Sequence, residues 1–185
     1  NAFQSVADLN SGLLGAYNFL DTTAEIGFTA AFTDETFRGR DNGGQNNALQ
    51  NLNVNTGDGY VFSIWANYYG AINMSNRIIA AATTLIDRDE DPALYDNVLG
   101  QAYAIRAYSH FQILAYFSTD YTDSDALAGL LLLEPTSDIF ASTARSTNAD
   151  FYAAIEADLD SAEDLVAASN GPKFIGQDFI KAVKA

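Results

Sequence analysis

The sequence predicts an all-α chain of helical hairpins, with a long irregular loop between the first and second helices. Apolar and aromatic residues recur at steps of three and four over several long stretches, a spacing that puts them on one helical face. Polar turns carrying proline or glycine separate those stretches. One interval, about 34–60, breaks the pattern with glycine and asparagine.

Val6, Leu9, Leu13, Tyr17 and Leu20 form the first stripe and predict a helix over about 3–19. Residues 38–47 read RGRDNGGQNN and residues 53–59 read NVNTGDG, too rich in glycine and asparagine for a continuous helix. A loop of this length in a compact domain is uncommon unless it serves a function. Over 61–86, the residues Phe62, Trp65, Tyr69, Ile72, Ile79 and Ile86 predict an aromatic-faced helix. Asp87-Arg88-Asp89-Glu90-Asp91-Pro92 ends it with a polar turn, and the proline suits the next helix start. That helix, about 93–117, carries Gly100, Ala102, Ala104 and Ala107 beside Tyr95, Val98, Ile105, Phe111 and Leu114, so a neighbouring helix can approach closely.

Residues 120–125 form a polar turn, and periodicity leaves 127–134 unclassified as extended or irregular apolar chain. Thr147, three residues before Asp150, resembles a helix-capping pair. Phe151, Ile155, Leu159, Ala162 and Val166 then predict a helix over about 148–168. Asn170-Gly171-Pro172 ends that helix, and 177–185 begins another helical pattern that stops after little more than two turns. Arg106 and Asp158 fall on the apolar stripes of their helices. A buried charge needs a partner, so the two are expected to meet as a structural ion pair.

Composition narrows the function. The chain has 185 residues, 48% hydrophobic and 18% charged, enough apolar surface for one core. Nine Lys and Arg against 24 Asp and Glu leave a net charge of −15, which argues against a nucleic-acid partner. No apolar run approaches the roughly 18–20 residues that span a bilayer. The absence of cysteine excludes disulfides, thiolate metal sites and cysteine nucleophiles together. Residues 1–9 lack the basic start and apolar middle of a secretory signal, so the chain reads as mature or trimmed.

Local motifs point away from catalysis. Asp87, Asp89 and Asp91 mimic the start of a calcium loop, but Pro92 and Val98 stand where glycine and glutamate are required. Asp120, Asp123 and Asp125 fail the same template. His110, the one histidine, lies in a helix and reads as a packing residue. Gly12, Gly15, Gly43 and Gly44 make no phosphate-binding loop. Trp65, Tyr68 and Tyr69, at helical spacing, read as core rather than as a sugar platform. No cofactor or metal site is expected. Within 34–60, Phe37, Arg38, Arg40, Asp41, Asn42, Gln45, Asn46 and Asn47 combine an aromatic ring, guanidinium groups and carboxamides, the groups that can bind paired sugar hydroxyls, and the competing reading of the same residues is an ordinary solvent loop.

Four segments in the same order resemble the SusD/RagB family of surface glycan-binding lipoproteins. They are Leu14-Gly15-Ala16-Tyr17-Asn18; Trp65 to Ile72 with Asn76-Arg77-Ile78-Ile79; Gly100 to Ala107 with Tyr108 and Phe111; and Arg145-Ser146-Thr147 with Tyr152, Ile155, Asp158, Leu159 and Ala162. Gln101 stands where the family usually has glutamate, and the loop lacks a tryptophan that some members set against sugar.

The resemblance implies tetratricopeptide-like hairpins, with residues 1–185 as one N-terminal helical domain of a longer chain. It implies non-enzymatic capture of extracellular oligo- or polysaccharide and its delivery to a SusC-like TonB-dependent transporter. The protein would then be a surface-exposed outer-membrane lipoprotein, held by a lipid anchor outside this chain. Phe37, Arg38, Arg40, Asn42, Gln45 and Asn46 are the expected glycan-binding residues. The alternative is a helical-repeat scaffold that docks proteins without binding glycan, although no strict repeat of about 34 residues is visible.

Overall fold

The computed structural model describes residues 3–33, 36, 37, 39, 41, 43–136 and 142–185. Among these the regular elements are α1 (Val6–Tyr17), α2 (Thr23–Phe32), α3 (Asn47–Gln50), α4 (Gly59–Leu85), α5 (Pro92–Phe117), α6 (Asn148–Leu165) and α7 (Gln177–Lys184). A 3-10 turn, Arg88–Glu90, precedes α5, and one isolated antiparallel bridge pairs Leu127 with Thr147. The chain divides into two compact units, residues 1–19 with 68–185, and residues 20–67.

Two helices lie where the sequence pattern predicted none. α2 buries Ala24, Glu25 and Ala31, so no stripe of large apolar residues marks it. α3 is a single turn inside the glycine-rich interval, anchored by the fully buried Leu49. The irregular stretch therefore lies between α2 and α4, not directly after the first helix, and α3 interrupts it.

Aspartates and hydroxyls start α1, α5 and α6. Ser5 accepts from the Asp8 amide at α1. Asp87 accepts from the Asp89 amide in the 3-10 turn, and Asp91 accepts from the Leu94 amide at α5, whose first turn holds Pro92. These caps explain the acidic run that mimics a calcium loop, because each carboxylate satisfies amides that the helix itself leaves unpaired. Thr147 and Asp150 close a reciprocal capping box at α6.

α5 is the central element, packed on α6 and α1, while α7 packs on α6. Along α4 and α5, Tyr95 donates to the Ala82 carbonyl at 2.8 Å, Arg106 meets Asn76, and the Tyr108 ring lies edge-on to Tyr68 at 6.1 Å. Rising numbers on one helix thus meet falling numbers on the other, the register of an antiparallel hairpin. Gly100 sits so close to the end of α6 that a Cβ there would lie 2.7 Å from Val166 Cγ2 and 2.8 Å from the Val166 amide nitrogen. Backbone on one side of that contact cannot step aside as a flexible side chain can.

Residues 127–134 run without regular structure along these helices, and side chains of α4 and α5, with Arg145 before α6, satisfy much of their backbone. The Tyr69 hydroxyl donates to the Leu130 carbonyl at 3.0 Å and accepts from the Leu130 amide at 2.6 Å. Burial pushes that phenol up to about 12, so it stays protonated near neutral pH. Asn76 Nδ2 donates to the carbonyls of Leu132 at 2.9 Å and Glu134 at 3.0 Å. His110 Nε2 accepts from the Leu132 amide at 3.4 Å. Arg145 donates to Ala128 and Leu127 carbonyls at 2.5 and 2.7 Å and to the Phe117 carbonyl at the end of α5 at 2.8 Å.

Arg106 and Asp158 meet inside the larger unit, 7% and 5% exposed. Arg106 Nε and Nη2 donate to the two Asp158 carboxylate oxygens at 2.8 and 2.6 Å. Nη1 donates to Asn76 Oδ1 at 2.7 Å and to the Leu133 carbonyl at 2.9 Å. Its guanidinium also lies 5.4 Å from the Tyr103 ring centroid. Burial pushes the Asp158 carboxyl above its ordinary value, opposed by the hydrogen bonds and charge of Arg106.

Removing one side of such a pair leaves a buried charge alone, at a cost of about 3–5 kcal/mol. Asp158→Asn is therefore expected to lower the urea midpoint strongly. His110 supplies a second test, because burial and then the neighbouring Arg106 charge push its imidazole down to about 3. The unfolded chain takes up that proton first, near pH 6.5. The His110 contribution is complete above that pH and is lost as pH falls toward 3, at about 1.4 kcal/mol per pH unit. Urea unfolding from pH 7 to 4 is expected to show a shallower decline in His110→Gln than in the parent.

Candidate functional site

The candidate glycan-binding residues belong to the smaller unit, residues 20–67. Its loop is shaped by backbone conformations that suit glycine and asparagine. Gly43 and Gly44 have φ of +68° and +77°, and Asn46 has φ of +56° in the left-handed region. The next residue, Asn47, starts the single turn of α3. Asp58 then accepts from the Tyr60 and Val61 amides at 2.9 and 3.1 Å and so starts α4.

Tyr60 ties this unit together. Its ring lies so close over Gly27 of α2 that a Cβ there would come within 2.6 Å of Cε1. Its hydroxyl accepts from Asn46 Nδ2 at 3.4 Å, a long contact that links α4 to the loop. The Thr36 hydroxyl donates to the Ala30 carbonyl, and the Phe28 and Phe32 rings stack at 5.1 Å on α2. Neither Tyr60 nor Gly27 stood out in the sequence, because their pairing joins residues far apart in the chain.

Of the expected glycan-binding residues, Arg38, Arg40 and Asn42 lie outside the described residues. Phe37 is 93% exposed, Gln45 is exposed and Asn46 is half-buried. An exposed aromatic ring and carboxamides carried by one loop offer a flat apolar face and donors and acceptors, which is the chemistry of a sugar contact. Ile26, Leu52 and Phe62 of the same unit are also exposed.

The aromatic run at the middle of α4 serves a different purpose. Tyr68 is buried, Trp65 is half-buried, and the Tyr69 hydroxyl is engaged by Leu130. Among the described residues no group of three or more His, Asp or Glu is placed to hold a metal ion. No helix among them is long and apolar enough to cross a membrane.

Deleting the Phe37 ring removes only exposed surface. Phe37→Ala is expected to leave the thermal unfolding midpoint within about 1–2 °C of the parent, as exposed substitutions usually change stability by less than about 0.5 kcal/mol. Calorimetry checks this, and it makes any loss of binding in that variant attributable to the site.

No curated protein matches the sequence. A SusD superfamily protein from Bacteroides fragilis superposes over 100% of this chain and 46% of its own, at 21% identity and a TM-score of 0.82. One from Bacteroides vulgatus covers 98% of this chain and 42% of its own, at 19% identity and a TM-score of 0.81. A laminarin-binding SusD-like protein covers 98% and 39%, at 19% identity and a TM-score of 0.76. At these identities the likeness establishes the fold, and the chain spans less than half the length of each. A family model for SusD-like proteins, described as starch-binding and associating with the outer membrane, matches residues 3–175. Since that match takes in nearly every element of both units, the chain belongs to the SusD-like family.

Proposed function

We propose that these residues form the helical part of a non-enzymatic protein that binds extracellular oligo- or polysaccharide and passes it to a SusC-like TonB-dependent transporter. The main support is the family match across residues 3–175, whose description joins starch binding to the outer membrane. The solved laminarin-binding relative adds a second glucan to the class of glycans the fold accommodates. In this reading residues 1–185 are one N-terminal helical portion, and a lipid anchor outside them holds the protein at the cell surface.

Glycan is taken up at the smaller unit. Phe37 supplies a stacking face, Gln45 and Asn46 supply carboxamides, and Arg38, Arg40 and Asn42 add guanidinium and amide donors from the same stretch. Sugar sites of this kind need adjacent donors and acceptors rather than a tuned acid and base. Several of the aspartates are committed to structure: Asp58, Asp87, Asp91 and Asp150 accept from amides at helix starts or turns, and Asp120 accepts from Thr122. A scaffold that only docks proteins would give no reason for a starch-binding description, so the glycan reading is preferred.

Affinity electrophoresis through starch and laminarin tests the proposal. The parent is expected to be retarded by at least one of them, and Phe37→Ala with Arg40→Ala to weaken retention by about fivefold or more, as each lost contact removes about 0.5–1.5 kcal/mol. Unchanged retention in the double variant would move the site away from this loop. Absence of retention in any polysaccharide, together with co-purification of the transporter, would favour the scaffold.

A further inference from the structure

The larger unit contains a cleft of about 230 Å³ between α1, α5 and the turn that precedes α7. Its wall is made of four carboxamides, Asn10, Asn97, Gln101 and Asn170, together with the apolar side chains of Leu13, Leu14 and Phe174. Among the described residues no Lys, Arg, Asp or Glu lines it. Leu14 and Phe174 are 46% and 42% exposed, and the Phe174 ring is held edge-to-face by Tyr17 at 5.2 Å.

Three of the amides are locked in place. Asn97 and Asn170 exchange hydrogen bonds, each Nδ2 donating to the other's Oδ1 at 3.0 Å. Asn97 Oδ1 also accepts from the Ala167 amide at 3.0 Å, and Asn170 Nδ2 also donates to the Ile175 carbonyl at 2.6 Å. Gln101 Oε1 accepts from the Tyr17 hydroxyl at 2.6 Å, and that hydroxyl accepts from the Ile175 amide at 2.8 Å.

This bookkeeping leaves particular valences open. Asn97 Nδ2 keeps a second N–H, and Asn170 Oδ1 keeps a second lone pair, beside each other and fixed in orientation. Asn10, half-buried on α1, makes no side-chain hydrogen bond to another described residue. An adjacent donor and acceptor next to an aromatic ring match a pair of neighbouring hydroxyls on a sugar, since each hydroxyl both donates and accepts. The volume lies below the roughly 300–1,000 Å³ of pockets for drug-sized ligands, which suits one ring. Absence of charge from the wall favours a neutral ligand over an anionic one.

We infer that this cleft is a second carbohydrate subsite, which takes one neutral pyranose ring against Phe174 and binds its hydroxyls through Asn10 and the Asn97–Asn170 amide pair. It deepens the glycan-binding reading, on which the choice of sugar as probe rests, but it uses none of the loop residues.

Amide NMR of the protein titrated with methyl α-glucoside, methyl β-glucoside and maltotriose tests the subsite through the side-chain NH₂ signals of Asn10, Asn97, Gln101 and Asn170. Saturable shifts of those signals are expected, weakened about tenfold in Asn10→Ala with Phe174→Leu, each contact contributing a few-fold. The two single variants are read as well, so that one decides if the other perturbs folding. Phe37→Ala is expected to leave the cleft signals unchanged. Shifts confined to residues 36–60 would overturn the subsite while leaving the glycan reading intact, whereas no response anywhere to any of the three sugars would count against both. Equal binding of glucuronate would overturn the preference for a neutral ring.

Discussion

A guanidinium group cannot shed its proton inside a protein, so burying Arg106 obliges the fold to bring acceptors to it. Those acceptors come from Asn76 on α4, Leu133 in the irregular segment and Asp158 on α6. None is a sequence neighbour of Arg106, and each must be placed to within hydrogen-bond tolerance. One side chain therefore sets the relative positions of α4, α5, α6 and the segment 127–134. The same charge, with burial, keeps His110 neutral, which lets its Nε2 accept from the Leu132 amide. Desolvation of both ions offsets much of their attraction, so the net stability such a pair adds is small beside the cost of breaking it.

The segment 127–134 shows why an apolar stretch without periodicity can be well ordered. Backbone amides and carbonyls away from water need partners, and here Tyr69, Asn76, Arg106, His110 and Arg145 supply them. The helices thus carry polar groups inward for the sake of a neighbouring chain rather than for a ligand. Arg145 joins the end of α5 to the start of that segment, a role that its place in a short polar run before α6 does not disclose.

Acidic residues do different work. Many are spent on caps and turns, where a carboxylate satisfies amides and complements the positive end of a helix. The net charge of −15 then discourages anionic partners, while a neutral, hydroxyl-rich ligand meets no such penalty. Carboxamides and exposed aromatic rings, found in the loop of the smaller unit and again in the cleft beside Phe174, are the groups suited to it. The two differ in construction: left-handed glycine and asparagine shape the loop, whereas reciprocal amide bonds hold the cleft.

Periodicity determined the long helices, since burying one face of α1, α4 and α6 requires apolar residues at the helical step, the central α5 is buried nearly all round, and their caps are local in sequence. The expectation that Arg106 and Asp158 lie inward came from the same stripes. Tertiary structure decided what depends on distant partners. α2 has a face of small residues and no stripe to announce it, and the order in 127–134 comes from side chains on other elements. Tyr60 over Gly27 and the Asn97–Asn170 pair likewise join residues widely separated in the chain. Helix formation is written in spacing because its contacts are local, and a binding surface is not, because its groups are brought together only when the helices pack.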